Sequence, residues 1–393
     1  MHVLESYALQ DNLKIDKPSI YEKYFPMAVE GRYITLDVSS DDESNKYSHW
    51  DMVLDYMSPY LKEKNITVVQ LGNKDDKQVA GCYIAVGQTD NNQKAYVIKN
   101  SALHVTTNNL SLQLASSYDK KIVTLFSNSF YEQFKPYWSK SEDVTVLTAN
   151  RSKPTFNGNE QPKTIDTIRP EKIAECILQN LGKPHSFAFK TLKVGSLYKS
   201  RRIESSLSNP ISDIDKLGIE TLIVRADYQF NLDNLIKQLD ICPCSIVTDK
   251  AIPEDIIDKN KHRIPELIYF LDDSHDPSFV LSCIQKGINI ALASKKTEEE
   301  ANKYKIDYLD IEQNINIVPK VKLEDIEELR FIKTNKIFYK SNKFLFHGGK
   351  AFPSKMAVAA DQSVSSFDHA FMQIFDHEEF WEEKDHFHLV ERK

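Results

Sequence analysis

Short apolar runs rich in β-branched residues alternate with amphipathic stretches along most of this chain, a rhythm that restricts it to βαβ units built around parallel sheets. In the first half the predicted strands are 33–38, 66–71, 83–86, 103–106, 122–126 and 144–147. Helical patterns fall near 48–63, 91–100, 109–117 and 170–181. Each strand-to-helix turn therefore opens at one edge of the sheet.

The periodicity lapses around Lys183-Pro184-His185, and a second series begins at Leu192-Lys193-Val194-Gly195. It continues through 222–225, 244–247, 267–271 and 288–292, with helical stretches near 232–240, 253–260, 277–286 and 296–304. From about 322 the pattern becomes alternation around turns, with predicted strands at 330–333, 336–340 and 344–350, as in a small antiparallel sheet. The expected organisation is a Rossmann-like domain over 1–187, a second Rossmann-like doubly wound α/β domain over 188–320, and a small α+β C-terminal appendage over 321–393. A length of 393 residues agrees with more than one core.

The net charge of −7 and the scattered basic residues argue against a nucleic-acid partner. The five cysteines are read as reduced, mostly buried apolar residues, since Cys242-Pro243-Cys244 lacks the second pair a zinc site needs. No basic segment leads into an apolar run and no stretch is long enough to span a membrane, so the expected location is the cytoplasm. The chain has 11 glycines and neither a G-x-G-x-x-G nor a Walker-type loop. A nucleotide must be held some other way.

In open α/β sheets ligands bind beyond the carboxyl ends of the strands. The loops at those ends are Ser39-Ser40-Asp41-Asp42-Glu43-Ser44-Asn45-Lys46, Gly72-Asn73-Lys74-Asp75-Asp76, Gly87-Gln88-Thr89 and Thr107-Asn108-Asn109-Leu110-Ser111-Leu112-Gln113. In order and spacing these segments resemble the heptosyltransferase-type glycosyltransferases, over residues 1 to about 185. In that family a lysine precedes an aromatic-led helix, as Lys46 precedes Trp50. A strand ends in Gly with a following Asp, as at Gly72 and Asp75, and a G-x-T helix lead matches Gly87-Gln88-Thr89. The family's Asn-Asp-Ser-Gly-x-x-His loop falls on residues 107–113.

The resemblance implies two Rossmann-like domains in a GT-B-like arrangement, with a nucleotide-sugar donor on the first and a glycan or polysaccharide acceptor. It places Ser39, Ser40, Lys46, Gly72, Asp75, Thr89, Thr107, Asn108, Asn109 and Gln113 around the donor, with Lys46 on phosphate. No cofactor and no metal are expected, and no catalytic base is named. Asn108 stands where the family has Asp, Gln113 where it has His and Leu110 where it has Gly; amides hydrogen-bond but cannot act as acid or base. That change motivates the alternative of a catalytically inactive binding or assembly module. Residues 2–13 resemble the family's interdomain connector, which normally follows the acceptor domain, so the acceptor wall is expected from the second domain, a homo-oligomer or a partner chain. Outside this region, Arg225-Ala226-Asp227-Tyr228 reads as a salt-bridged strand end, Asp272 to Asp276 as a turn and helix start, and the tail histidines 369, 377, 386 and 388 as solvated.

Overall fold

The computed structural model describes residues 1–212, 222–304, 308, 315–318, 322, 323, 326 and 334–393. The chain divides into two compact units, Met1–Lys190 and Thr191–Lys393. The expected strand at 330–333 and the expected boundary at 320–321 lie outside the described residues.

In the first unit six strands, β1 (Arg32–Asp37), β2 (Ile66–Leu71), β3 (Tyr83–Ile84), β4 (His104–Thr107), β5 (Ile122–Phe126) and β6 (Val144–Thr148), form one sheet in the order β3-β2-β1-β4-β5-β6. All pairings are parallel. The chain winds outward from β1 in both directions, so the strand order reverses between β1 and β4, where open α/β sheets leave a crevice.

Side chains alternate across each strand. On β2, Ile66 and Val68 join the core that helices α2 (Trp50–Glu63) and α6 (Pro170–Asn180) cover. Val69 and Leu71 join the core under α3 (Asn91–Asn100) and α4 (Leu110–Ser117). Helices thus lie on both faces. The helix starts carry the expected chemistry: Asp90 and Gln93 form a reciprocal capping box on α3, and Asn109 caps α4. Gly87, at φ +68°, is required where it stands, because a Cβ there would approach Lys74 Cα to 2.9 Å.

In the second unit a parallel series runs from β8 (Arg202–Ser205) through β9 (Leu222–Arg225), β10 (Cys244–Thr248), β11 (Leu267–Phe270), β12 (Ile290–Ser294) and β13 (Ile315–Ile317). On the other side of β8 the sheet continues with β15 (Lys343–His347), parallel to β8, and then antiparallel β16 (Lys350–Phe352). Two expectations change here. The segment around Leu192 does not open this sheet: β7 (Phe189–Val194) joins β14 (Ile337–Ser341), β17 (Met372–Gln373) and β18 (Phe387–Arg392) in a separate four-stranded sheet. The opening strand is β8, which has no apolar run because it carries Glu204 inward to buried Arg225 and Lys343, with partly exposed Arg202 paired to the same carboxylate. Residues 343–352, expected in an appendage, extend the parallel sheet. The aromatic tail packs as a core of its own, with Phe380 and Phe387 stacked at 4.7 Å beside buried Tyr339 and Trp381.

The readings outside the first half follow the ordinary chemistry of strand and helix ends. Arg225 holds Asp227 through two bonds of 2.8 Å, and Asp276 caps the helix Pro277–Gln285. His369, His386 and His388 are buried rather than solvated, and His377 is exposed; His388 Nε2 lies 2.9 Å from Thr191 Oγ1. All five cysteines are free. Among the described residues no helix is long and apolar enough to cross a membrane, and no three His, Cys, Asp or Glu side chains gather as a metal site.

Candidate functional site

A cleft of about 440 Å³ opens at the crevice between β1 and β4. The segment after β1 contributes Asp37, Ser39, Ser40, Asp41, Asp42 and Asn45; the loop after β2 contributes Asn73; α3 contributes Asn91 and Lys94; the start of α4 contributes Asn108 to Ser111 and Leu114. Amides and hydroxyls dominate the lining. Its charged groups are three carboxylates and one amine.

That amine belongs to Lys94, which is 8% exposed and makes no hydrogen bond or ion pair with any described residue. Its place follows from the helix: Lys94 shares the inward stripe of α3 with Val97 and Ile98, both fully buried, at the i+3 and i+4 spacing that puts side chains on one face.

A chain of hydrogen bonds lies beneath the cleft. His104 is fully buried, with Nδ1 2.9 Å from Thr35 Oγ1 and Nε2 2.9 Å from Ser111 Oγ. Ser111 donates to Asn109 Oδ1 at 2.7 Å, and Asn109 Nδ2 donates to the Ser39 carbonyl at 2.8 Å. One donor order satisfies every member: Thr35 to His104, His104 to Ser111, Ser111 to Asn109, Asn109 to Ser39. Asn109 therefore caps α4 and ties the two sides of the crevice together. Replacing it with alanine removes the donor to the Ser39 carbonyl, the α4 cap and one acceptor for the hydroxyls of Thr106 and Ser111, and is expected to cost about 1–2 kcal/mol in chemical denaturation. A loss below about 0.5 kcal/mol contradicts the bridging role.

Burial outweighs the nearby Asp37 charge and brings the His104 imidazole down to about 4 from 6.5. The unfolded chain takes up a proton near 6.5 and the folded unit only near 4, so the unfolded state binds more protons between these values. Stability is then full above pH 6.5 and falls by about 3 kcal/mol as pH drops to 4. Urea midpoints at pH 7.5 and 5 are expected to differ in that sense, and the difference should shrink in His104→Gln.

The structure brings some of the ten sequence-predicted residues together and leaves others apart. Ser39, Ser40, Asn108 and Asn109 line the cleft. Thr107 is buried beside them with Oγ1 unpartnered, and Thr89 Oγ1 is likewise buried without a partner. Gly72 precedes cleft residue Asn73, and Asp75 is exposed beyond it. Gln113 is committed elsewhere: Nε2 donates to the carbonyls of Phe134 and Lys135 at 3.2 Å, and Oε1 accepts from the Tyr137 N–H. Lys46 does not line the cleft. Its Nζ is bound to Glu43 at 2.5 Å, a bond that raises its pKa, and it borders a separate hollow of about 70 Å³ with Trp50 and Asp76. The 3-10 turn Glu43–Asn45 brings the two partners together, which spacing in the sequence did not reveal.

No family model and no curated protein matches this chain. Solved structures similar to it include E. coli ADP-heptose lps heptosyltransferase II, at 20% identity over 45% of this chain and 50% of that one, with a TM-score of 0.31. A glycosyl transferase family 9 protein from Veillonella parvula DSM 2008 matches at 17% identity over 39% and 47%, TM-score 0.32. The chain spans about half the length of these solved structures. It is similar to them over part of its own length, and TM-scores near 0.3 assign it no function.

Proposed function

We propose that the β1/β4 cleft binds a nucleotide-diphosphate sugar and that the chain supplies the donor side of a glycosyltransferase, passing the sugar to a glycan or polysaccharide acceptor. Lys94 carries this reading. Its side chain is largely buried along α3, its amine forms no ion pair with a described residue, and it lines the cleft, where a phosphate supplies an anion. The opening N–H groups of α4 present the positive end of that helix to the same cleft. Ser39, Ser40, Asn73, Asn91 and Asn108 offer the mixed donors and acceptors that sugar hydroxyls require. Gly72, Asp75, Thr89 and Thr107 border these residues in sequence. The role first expected of Lys46 passes to Lys94. The test is a melting-temperature panel of UDP-, GDP-, ADP- and CMP-sugars. One nucleotide family should raise the melting temperature, with the rise lost in Lys94→Met and retained in Lys46→Ala. Silence across the panel rejects the proposal.

A second reading, a binding module without transfer, is favoured by Gln113. Its amide is held by the backbone of residues 134–137 and cannot move a proton. Donor binding with no sugar released or transferred would select this reading.

A further inference from the structure

Asn45 sits in the wall of the cleft, 4% exposed, with its side chain making no hydrogen bond and Oδ1 buried. An amide that has left water and found no protein partner is destabilising unless a ligand completes it. Its position is firmly set. The Ser44 N–H donates to the Gly158 carbonyl at 3.1 Å, the Ser44 hydroxyl donates to the Asn157 carbonyl at 2.6 Å, and that hydroxyl accepts from the Glu160 N–H at 2.8 Å. Glu160, itself buried, is paired with Arg151 at 2.8 Å.

Asp41 and Asp42 line the same side of the cleft and form no ion pair with any described residue. They belong to the segment leading into α2, whereas Lys94 enters from α3 on the opposite face of the sheet. The cleft therefore has an anionic side that includes the unpartnered Asn45 amide and a cationic side formed by the unpaired Lys94 amine. A ligand that is uniformly anionic meets three carboxylates across from a single lysine.

We propose that the sugar taken by this cleft carries a free amine: the ligand is an aminosugar joined to phosphate, with the phosphate at Lys94 and the ammonium at Asp41, Asp42 and Asn45. The inference rests on reading the cleft as a sugar-phosphate site and adds the class of sugar. An ammonium turns repulsion at the anionic side into charge-assisted hydrogen bonds and supplies a donor to Asn45 Oδ1 once that side chain rotates toward the cleft. N-acetylation removes that charge and enlarges the group.

The experiment is calorimetric titration of the full chain at pH 6.5 with glucosamine 1-phosphate, glucose 1-phosphate and N-acetylglucosamine 1-phosphate. Glucosamine 1-phosphate should bind at least about tenfold tighter than the other two. The double variant Asp41→Asn, Asp42→Asn, at two exposed positions, should remove that preference by weakening the amine-bearing ligand and strengthening glucose 1-phosphate. Asn45→Ala, compared at matched melting temperature, should lower the affinity for glucosamine 1-phosphate. Equal affinity for the three sugars, or a preference that survives the double variant, overturns the proposal. So does binding of none of them. In that last case a response in the nucleotide-sugar panel leaves the donor reading intact, and silence there removes both.

Discussion

Lys94→Met is expected to weaken phosphate and nucleotide-sugar binding by about a hundredfold or more, while leaving the melting temperature of the unliganded protein nearly unchanged. Methionine keeps most of the aliphatic stem that packs beside Val97 and Ile98 and removes only an amine that forms no ion pair with a described residue. A residue kept for packing alone would give the opposite pair of results, with lower stability and unchanged binding. Binding isotherms and thermal scans on the same preparations decide between them. Lys46→Ala is the control: its amine is spent on Glu43 at the protein surface, and its loss should change stability by less than about 1 kcal/mol.

The second large effect belongs to Glu204. Fully buried on β8, it receives Arg202 at 2.9 Å, Arg225 at 3.0 Å and Lys343 at 3.1 Å; Lys343 also pairs with Glu383 at 2.6 Å. Burial alone would raise the Glu204 carboxyl, but the charges of Lys343, Arg225 and Arg202 outweigh it and bring it down to about 2. Glu204→Gln leaves buried Arg225 and Lys343 undercompensated and should cost about 3–5 kcal/mol, enough to unfold the second unit at moderate urea. Glu254→Gln, which loosens an ion pair whose carboxylate is 71% exposed, should cost under about 0.5 kcal/mol. Equal effects would mean that the buried network contributes no more than a surface pair. Because the folded carboxyl is held below its ordinary 4.5, the contribution is complete above that pH and declines as pH falls toward 2.

The first sheet was legible because its central strands β1, β2, β4 and β5 are rich in β-branched residues and largely buried on both faces. Legibility failed where charge was buried. Arg202-Ile203-Glu204-Ser205 has the pattern of a surface loop, and only the arrival of Arg225 and Lys343 from distant parts of the sequence makes a central strand of it. The same limit governed the cleft. Ser39, Ser40, Asn108 and Asn109 could be found because ligand-binding loops follow strand ends, a local rule. Lys94 lies within a helix and has the composition of a solvated position; its signal was a charged residue on the same stripe as Val97 and Ile98. Lys46, in a polar loop before an aromatic, had the better local pattern, but Glu43 captured it through a turn that the pattern did not contain.

The placement of β15 beside β8 bears on how the chain is made. All six strands of the first unit precede Ala149 and its last long helix ends at Asn180, so a nascent chain can complete that unit early in synthesis. The second unit cannot close in the same way. β8 has β9 on one side only, and Glu204 has Arg202 and Arg225 but not Lys343, until Lys343 has left the ribosome; the small sheet waits for Phe387–Arg392. Until then β8 offers one open edge, which makes it a natural point for a chaperone to shield during translation.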